Sequence, residues 1–118
     1  MALVMLVEDE TIVAIDLAMT LREGGHEILG PFRKPDIAMS AVDRHRPDLA
    51  ILDINLGREG NSFALAQKLF DTGIPFAFLT GYSRATADVP APLDDAPRLQ
   101  KPIDPRSVID FVDGLIGA

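Results

Sequence analysis

A doubly wound α/β domain built on a five-stranded parallel sheet is the fold class that this sequence predicts, and three observations carry it. Short apolar runs without polar interruption recur along the chain, as strands buried on both faces of a parallel sheet require. Between them lie segments whose apolar residues repeat at helical spacing. The 118 residues accommodate five such strand–helix repeats in one compact domain spanning 1–118, with helices covering both faces of the sheet.

Each element has its own justification. The run Ala2 to Val7, ALVMLV, is a continuous apolar strand. From Thr11 to Glu23, residues Ala14, Leu17, Ala18 and Leu21 fall at i, i+3, i+4 and i+7, and Gly24-Gly25 ends the helix. HEILGPF, from His26, reads as the second strand, and a helix follows from about Asp36 to His45 with Asp36 as its expected N-cap. LAILD, ending at Asp53, is the third strand and Ser62 to Asp71 the third helix. PFAFLT, ending at Thr80, is the fourth strand, RLQ from Arg98 a short fifth, and Asp104 to Ile116 the last helix. Where a further helix is due, Ser83 to Pro97 carries Pro90, Pro92 and Pro97. Proline costs about 3 kcal/mol in a helix interior, so that helix should be short or disordered.

Composition narrows the function. The formal charge of −7 argues against nucleic acid as a partner, because phosphate neutralisation needs clustered Lys and Arg. No apolar run approaches the roughly 20 residues that span a bilayer. MALVMLVEDE lacks the basic region of a secretory signal, so the expectation is a soluble, cytoplasmic protein without a membrane partner. There is no cysteine, which removes disulfides and thiolate metal sites. His26 and His45 have no second ligand at metal spacing and are expected at surface positions.

In open parallel sheets, ligands bind at the carboxyl ends of the strands. Glu8, Asp9 and Glu10 follow the first strand, Asp53 ends the third, Thr80 ends the fourth and Lys101 follows the fifth. Two carboxylates about 4 Å apart repel by roughly 4 kcal/mol at an effective dielectric near 20, so such acids stay ionised only with a cation among them. Oxygen ligands suit Mg²⁺. Thr80 offers a hydroxyl and Lys101 an ammonium to a phosphoryl group. Asp53 is then the nucleophile, since an aspartate can form an acyl phosphate.

The succession VEDE, LDINLG, FLTGY and QKP resembles the receiver domain of bacterial two-component response regulators over essentially the whole chain. PFAFLTGY is similar to a branch, often of stand-alone receivers, that carries a PFxFATGY stretch, with Leu79 in place of the alanine. The resemblance implies the flavodoxin-like strand order 2-1-3-4-5. It implies Glu8 and Asp9 as the acidic pair for Mg²⁺, Asp53 as phosphoacceptor and metal ligand, and Asn55 as donor of a backbone carbonyl to the metal. Thr80 would bind the phosphoryl group and switch, and Lys101, before the proline that this family commonly joins through a cis bond, would pair with phosphate. The implied partners are a sensor histidine kinase or histidine phosphotransfer protein and a downstream protein. The implied chemistry is self-phosphorylation and slow dephosphorylation, not turnover of a separate substrate. Two rivals remain: a phosphorylation-independent scaffold and a small Mg²⁺-dependent phosphatase. A phosphatase nucleophile is typically followed two residues later by an acid, and Asn55 stands there instead.

Two features depart from the simplest pattern. Ile12, Ile15 and Met19 extend the first helix's apolar surface beyond its main stripe; core packing is the favoured reading, and docking of a partner helix bundle is the other. Arg98 occupies the position three before the lysine where receivers usually carry an aromatic switch residue, and Tyr82 is the nearest substitute.

Overall fold

The computed structural model describes residues 2–81 and 89–116. Strands β1 (Leu3–Val7), β2 (Glu27–Phe32), β3 (Leu49–Asp53), β4 (Phe76–Thr80) and β5 (Arg98–Gln100) alternate with helices α1 (Thr11–Glu23), α2 (Pro35–His45), α3 (Phe63–Thr72) and α4 (Pro105–Ile116). All strand pairs are parallel, and the sheet order is β2-β1-β3-β4-β5. Both the fold class and the strand order match expectation.

The central strands are apolar throughout because each of their faces meets a helical layer. Met5 and Val7 of β1, Ala50 and Leu52 of β3 and Phe76 and Phe78 of β4 pack with Ala38, Ala41 and Val42 of α2 and Leu65, Ala66 and Leu69 of α3. The alternate residues Val4, Leu6, Leu49, Ile51 and Leu79 pack with Leu17, Ala18 and Leu21 of α1 and Val108 and Val112 of α4. Phe78 sits edge-on to both Phe63 and Phe76, with ring centroids 6.0 and 5.5 Å away, the geometry that aromatic quadrupoles favour. Pro31 lies on β2, an edge strand, where a missing ladder donor is tolerated.

Four expectations need correction or restriction. Helix α2 starts one residue earlier than the aspartate suggested: Pro35 takes the first turn, where its missing N–H is not needed. Lys34 is the cap residue, and Asp36 accepts from the Ile37 N–H within the first turn. His45 is exposed, but His26 is buried. Its Nδ1 accepts from the Ala2 N–H at 3.1 Å and its Nε2 lies 2.9 Å from Asp113 Oδ1. The first contact puts the proton on Nε2, so a neutral ring serves both partners. Ile12, Ile15 and Met19 are 83, 52 and 53% exposed. The core reading therefore fails for them: α1 is an outer helix, and these three lie on the side turned from the sheet. Finally, Tyr82 and the first part of the segment running from Ser83 lie outside the described residues; the described remainder holds a single 3₁₀ turn, Leu93–Asp95, anchored by buried Leu93.

No helix among the described residues is long and apolar enough to cross a membrane.

Candidate functional site

Register assembles the site. Val7 pairs with Leu52, so Glu8 and Asp53, one step further on, are neighbours across the central strand pair. Asp53 pairs with Leu79, which sets Thr80 at the adjoining strand end. Thr80 pairs with Gln100, and its carbonyl accepts from the Lys101 N–H at 2.8 Å. The peptide between Lys101 and Pro102 is cis. Asp9, Glu10, Asp53, Asn55, Thr80 and Lys101 all line one cleft of about 310 Å³. Glu8 lies beneath it, fully buried.

Lys101 is the electrostatic hub. Its Nζ stands 2.7 Å from Glu8 Oε1, 3.1 Å from Glu10 Oε1 and 3.1 Å from Asp53 Oδ2. Glu8 Oε2 accepts from the Glu10 N–H at 3.1 Å. The close Glu8 Oε1 contact lacks hydrogen-bond alignment, so that buried oxygen has no directional donor. Burial pushes the Glu8 carboxyl above its ordinary range, the Asp53 carboxylate pushes the same way, and Lys101 and the Glu10 N–H only partly offset them. Burial alone would lower the Lys101 ammonium, but its close contacts with the Glu8, Glu10 and Asp53 carboxylates prevail and hold it above the usual lysine range.

The donor set fits a hard divalent cation. Ligand atoms of Glu8, Glu10 and Asp53 lie within 4.8 Å of one another, and one ammonium cannot neutralise three carboxylates. Glu10 supplies the third carboxylate of this cluster. Asp9 lines the cleft from the side, and a Cβ at Gly57 would come 3.1 Å from its Oδ2. Glu10 precedes α1 without a side-chain capping bond; its carboxylate turns to Lys101 instead. Asn55 bridges to Asn61 in a tight antiparallel pair, in which the Ile54 carbonyl and Leu56 N–H bond to Ser62 and Gly60. In such a pair the Asn55 carbonyl points away from the opposing segment and is left outside that ladder, while its side chain accepts from the Gly57 N–H at 3.0 Å.

Metal should therefore act on stability. Glu8 is raised in the folded state, so its contribution is present below the ordinary glutamate value near 4.3 and lost as pH rises through the raised value. At neutral pH the metal-free fold carries that cost. Mg²⁺ at ten times its Kd should add about 1.4 kcal/mol, roughly 4–8 °C in Tm. Glu8→Gln should raise the metal-free Tm while shrinking the Mg²⁺ increment. Thermal melts of both proteins check this; an unchanged wild-type Tm at millimolar Mg²⁺ would refute it.

Arg98 is exposed, and its Nη2 donates to the Asp94 carbonyl at 3.3 Å. The residue at the expected aromatic position thus holds the 3₁₀ turn from outside.

No protein-family model matches the chain. Over 112 residues, 95% of the chain, it is 30% identical to the transcriptional regulatory protein PdtaR of Mycobacterium tuberculosis and covers 54% of that protein. It is 28% identical over 109 residues to the phyllosphere-induced regulator PhyR of Methylorubrum extorquens, covering 40% of it. The chain thus spans about half or less of the curated relatives' length. Among solved structures, the signal receiver domain of a modulated diguanylate cyclase from Desulfovibrio desulfuricans superposes with a TM-score of 0.84 at 24% identity, covering 99% of this chain and 94% of that one. The response regulator PhyR from Brucella abortus gives 0.81 at 23% identity, covering 98% of this chain and 48% of that one.

Proposed function

We infer that this chain, which has the fold of response-regulator receiver domains, accepts a phosphoryl group on Asp53 from a phosphohistidine kinase or phosphotransfer protein and signals through altered protein contacts. The observation that carries this reading is the setting of Asp53. It is a nearly buried carboxylate that opens into the cleft, with one oxygen 3.1 Å from the Lys101 ammonium and Thr80 on the same wall. The other oxygen is left to attack phosphorus, and the P–N bond breaks as its electron pair returns to the donor imidazole. Lys101 is positioned to follow the charge onto the phosphoryl oxygens, and the Thr80 hydroxyl can donate to one of them. Mg²⁺, held by Glu8, Glu10 or Asp9, Asp53 and the Asn55 carbonyl, would supply the remaining positive charge.

The exposed side chains of Ile12, Ile15 and Met19 suit docking on an apolar helix bundle. A small groove between α1 and the segment after β5, lined by Ile12, Asp16, Thr20, Lys101 and Ile103, brings that surface to the edge of the phosphoacceptor cleft. With Arg98 held outside, the response to phosphate runs from Thr80 through the chain that follows β4, by population shift.

Incubation with acetyl phosphate and Mg²⁺, followed by intact mass measurement, tests the assignment. One phosphoryl adduct, dependent on Mg²⁺ and lost slowly, is expected. No adduct would point to a scaffold, and multiple turnover to a phosphatase.

A further inference from the structure

We propose that the groove beside the phosphoacceptor cleft, walled by Arg33, Lys34 and Arg58, is the surface that captures small anionic phosphodonors of the acyl phosphate class and delivers them to Asp53. The proposal rests on the phosphoacceptor reading above. The groove has a volume of about 480 Å³ and shares Asp9 and Gly57 with the cleft. Arg33 and Lys34 follow β2, and Arg58 lies in the 3₁₀ turn after β3, so three cations come from two separate loops. All three are exposed, and none is engaged in an ion pair or side-chain hydrogen bond among the described residues. Lys68 pairs with Asp43, Lys101 with its three carboxylates, and Arg46 donates to the Thr72 carbonyl; Arg22, Arg44 and Arg106 are also without such partners among the described residues, but they stand on helices α1, α2 and α4 and do not line the groove.

The charge balance gives these cations a task. The chain carries −7 overall, and its cleft gathers Glu8, Asp9, Glu10 and Asp53 against Lys101 alone. A phosphodonor dianion is repelled by both the mean field and the cleft. Within the groove the three cations face only Asp9 and Glu59, and a metal in the cleft would offset Asp9. A cluster of one sign beside a reacting centre raises local substrate concentration and the rate of encounter. The transfer itself balances without a proton: an Asp53 oxygen bonds phosphorus while the bond from phosphorus to the acyl oxygen breaks, and the carboxylate leaves with its electron pair.

The test measures the second-order rate of phosphorylation by acetyl phosphate at saturating Mg²⁺, across ionic strength. It compares the whole chain, the triple variant Arg33→Gln, Lys34→Gln, Arg58→Gln, and a charge-matched control, Arg22→Gln, Arg44→Gln, Lys68→Gln, whose positions lie on helices α1, α2 and α3. At low ionic strength the groove variant should be about five- to tenfold slower than the control, with the gap closing as salt screens it. Equal rates for the two triple variants would overturn the proposal. Failure of the unaltered chain to form an adduct with either acetyl phosphate or phosphoramidate would instead overturn the phosphoacceptor reading beneath it.

Discussion

Asp53→Ala should abolish the phosphoryl adduct outright, with no measurable transfer to any neighbouring acid. The four carboxylates at the site are not equivalent nucleophiles. Glu8 is buried beneath the cleft, so a donor cannot reach it. Glu10 is well exposed, where water competes for any phosphoryl group and no hydroxyl is presented beside it. Asp9 stands toward Gly57, at the junction with the groove. Asp53 alone combines access, an ammonium at 3.1 Å and Thr80 on the same wall. Because Asp53 also pushes the Glu8 carboxyl upward, the variant should fold at least as stably as its parent. Intact mass with acetyl phosphate and Mg²⁺, alongside a thermal melt, is decisive. An adduct that persists in a folded variant would move the phosphoacceptor elsewhere.

Lys101→Ala should cost about 3–5 kcal/mol at pH 7.5 without metal, the range for breaking a buried ion pair and stranding its partner. The stranded partner is Glu8, fully buried and left with only the Glu10 N–H. The sign of its pH dependence follows. Without the ammonium, Glu8 titrates still higher in the folded state, so the variant regains stability as pH falls through that value and approaches the wild type near the ordinary glutamate pKa. Lys101 itself is raised, so its own contribution is complete below about 10.4 and lost only in more alkaline solution. Urea denaturation at pH 7.5 and pH 5 measures both. A cost below about 1 kcal/mol at pH 7.5, or one that does not shrink at pH 5, would contradict the hub role.

Much of this architecture could be read from local pattern. LAILD is a buried central strand, and Ala14, Leu17, Ala18 and Leu21 are the buried face of α1, because both signals depend only on periodicity and on a sheet covered on two sides. Periodicity says which residues share a helix face, but not whether another element covers it; that is why the pattern suggests a core for Ile12, Ile15 and Met19 that never reaches them. Asp36 has the chemistry of a cap, yet Pro35 before it already satisfied the first turn. The cleft residues are legible from their places at strand ends. Which acids would cluster is not legible: Glu10 turns toward a lysine 91 positions away in sequence, and Arg58 joins the adjacent pair Arg33 and Lys34 only through the fold. The burial of His26 is hidden for the same reason, since both its partners are distant along the chain.

The His26 ring has a kinetic meaning as well as a static one. Its bond to Asp113 spans 87 positions, and closing a loop of that length in an unfolded chain costs about 4 kcal/mol, whereas one hydrogen bond returns a net of about 1 kcal/mol. Such a contact cannot nucleate folding. It follows the apolar burial that packs α4 against the sheet face containing β1, which makes the imidazole a natural spectroscopic clock: its ring environment reports the docking of the last helix, at the opposite end of the strands from Asp53.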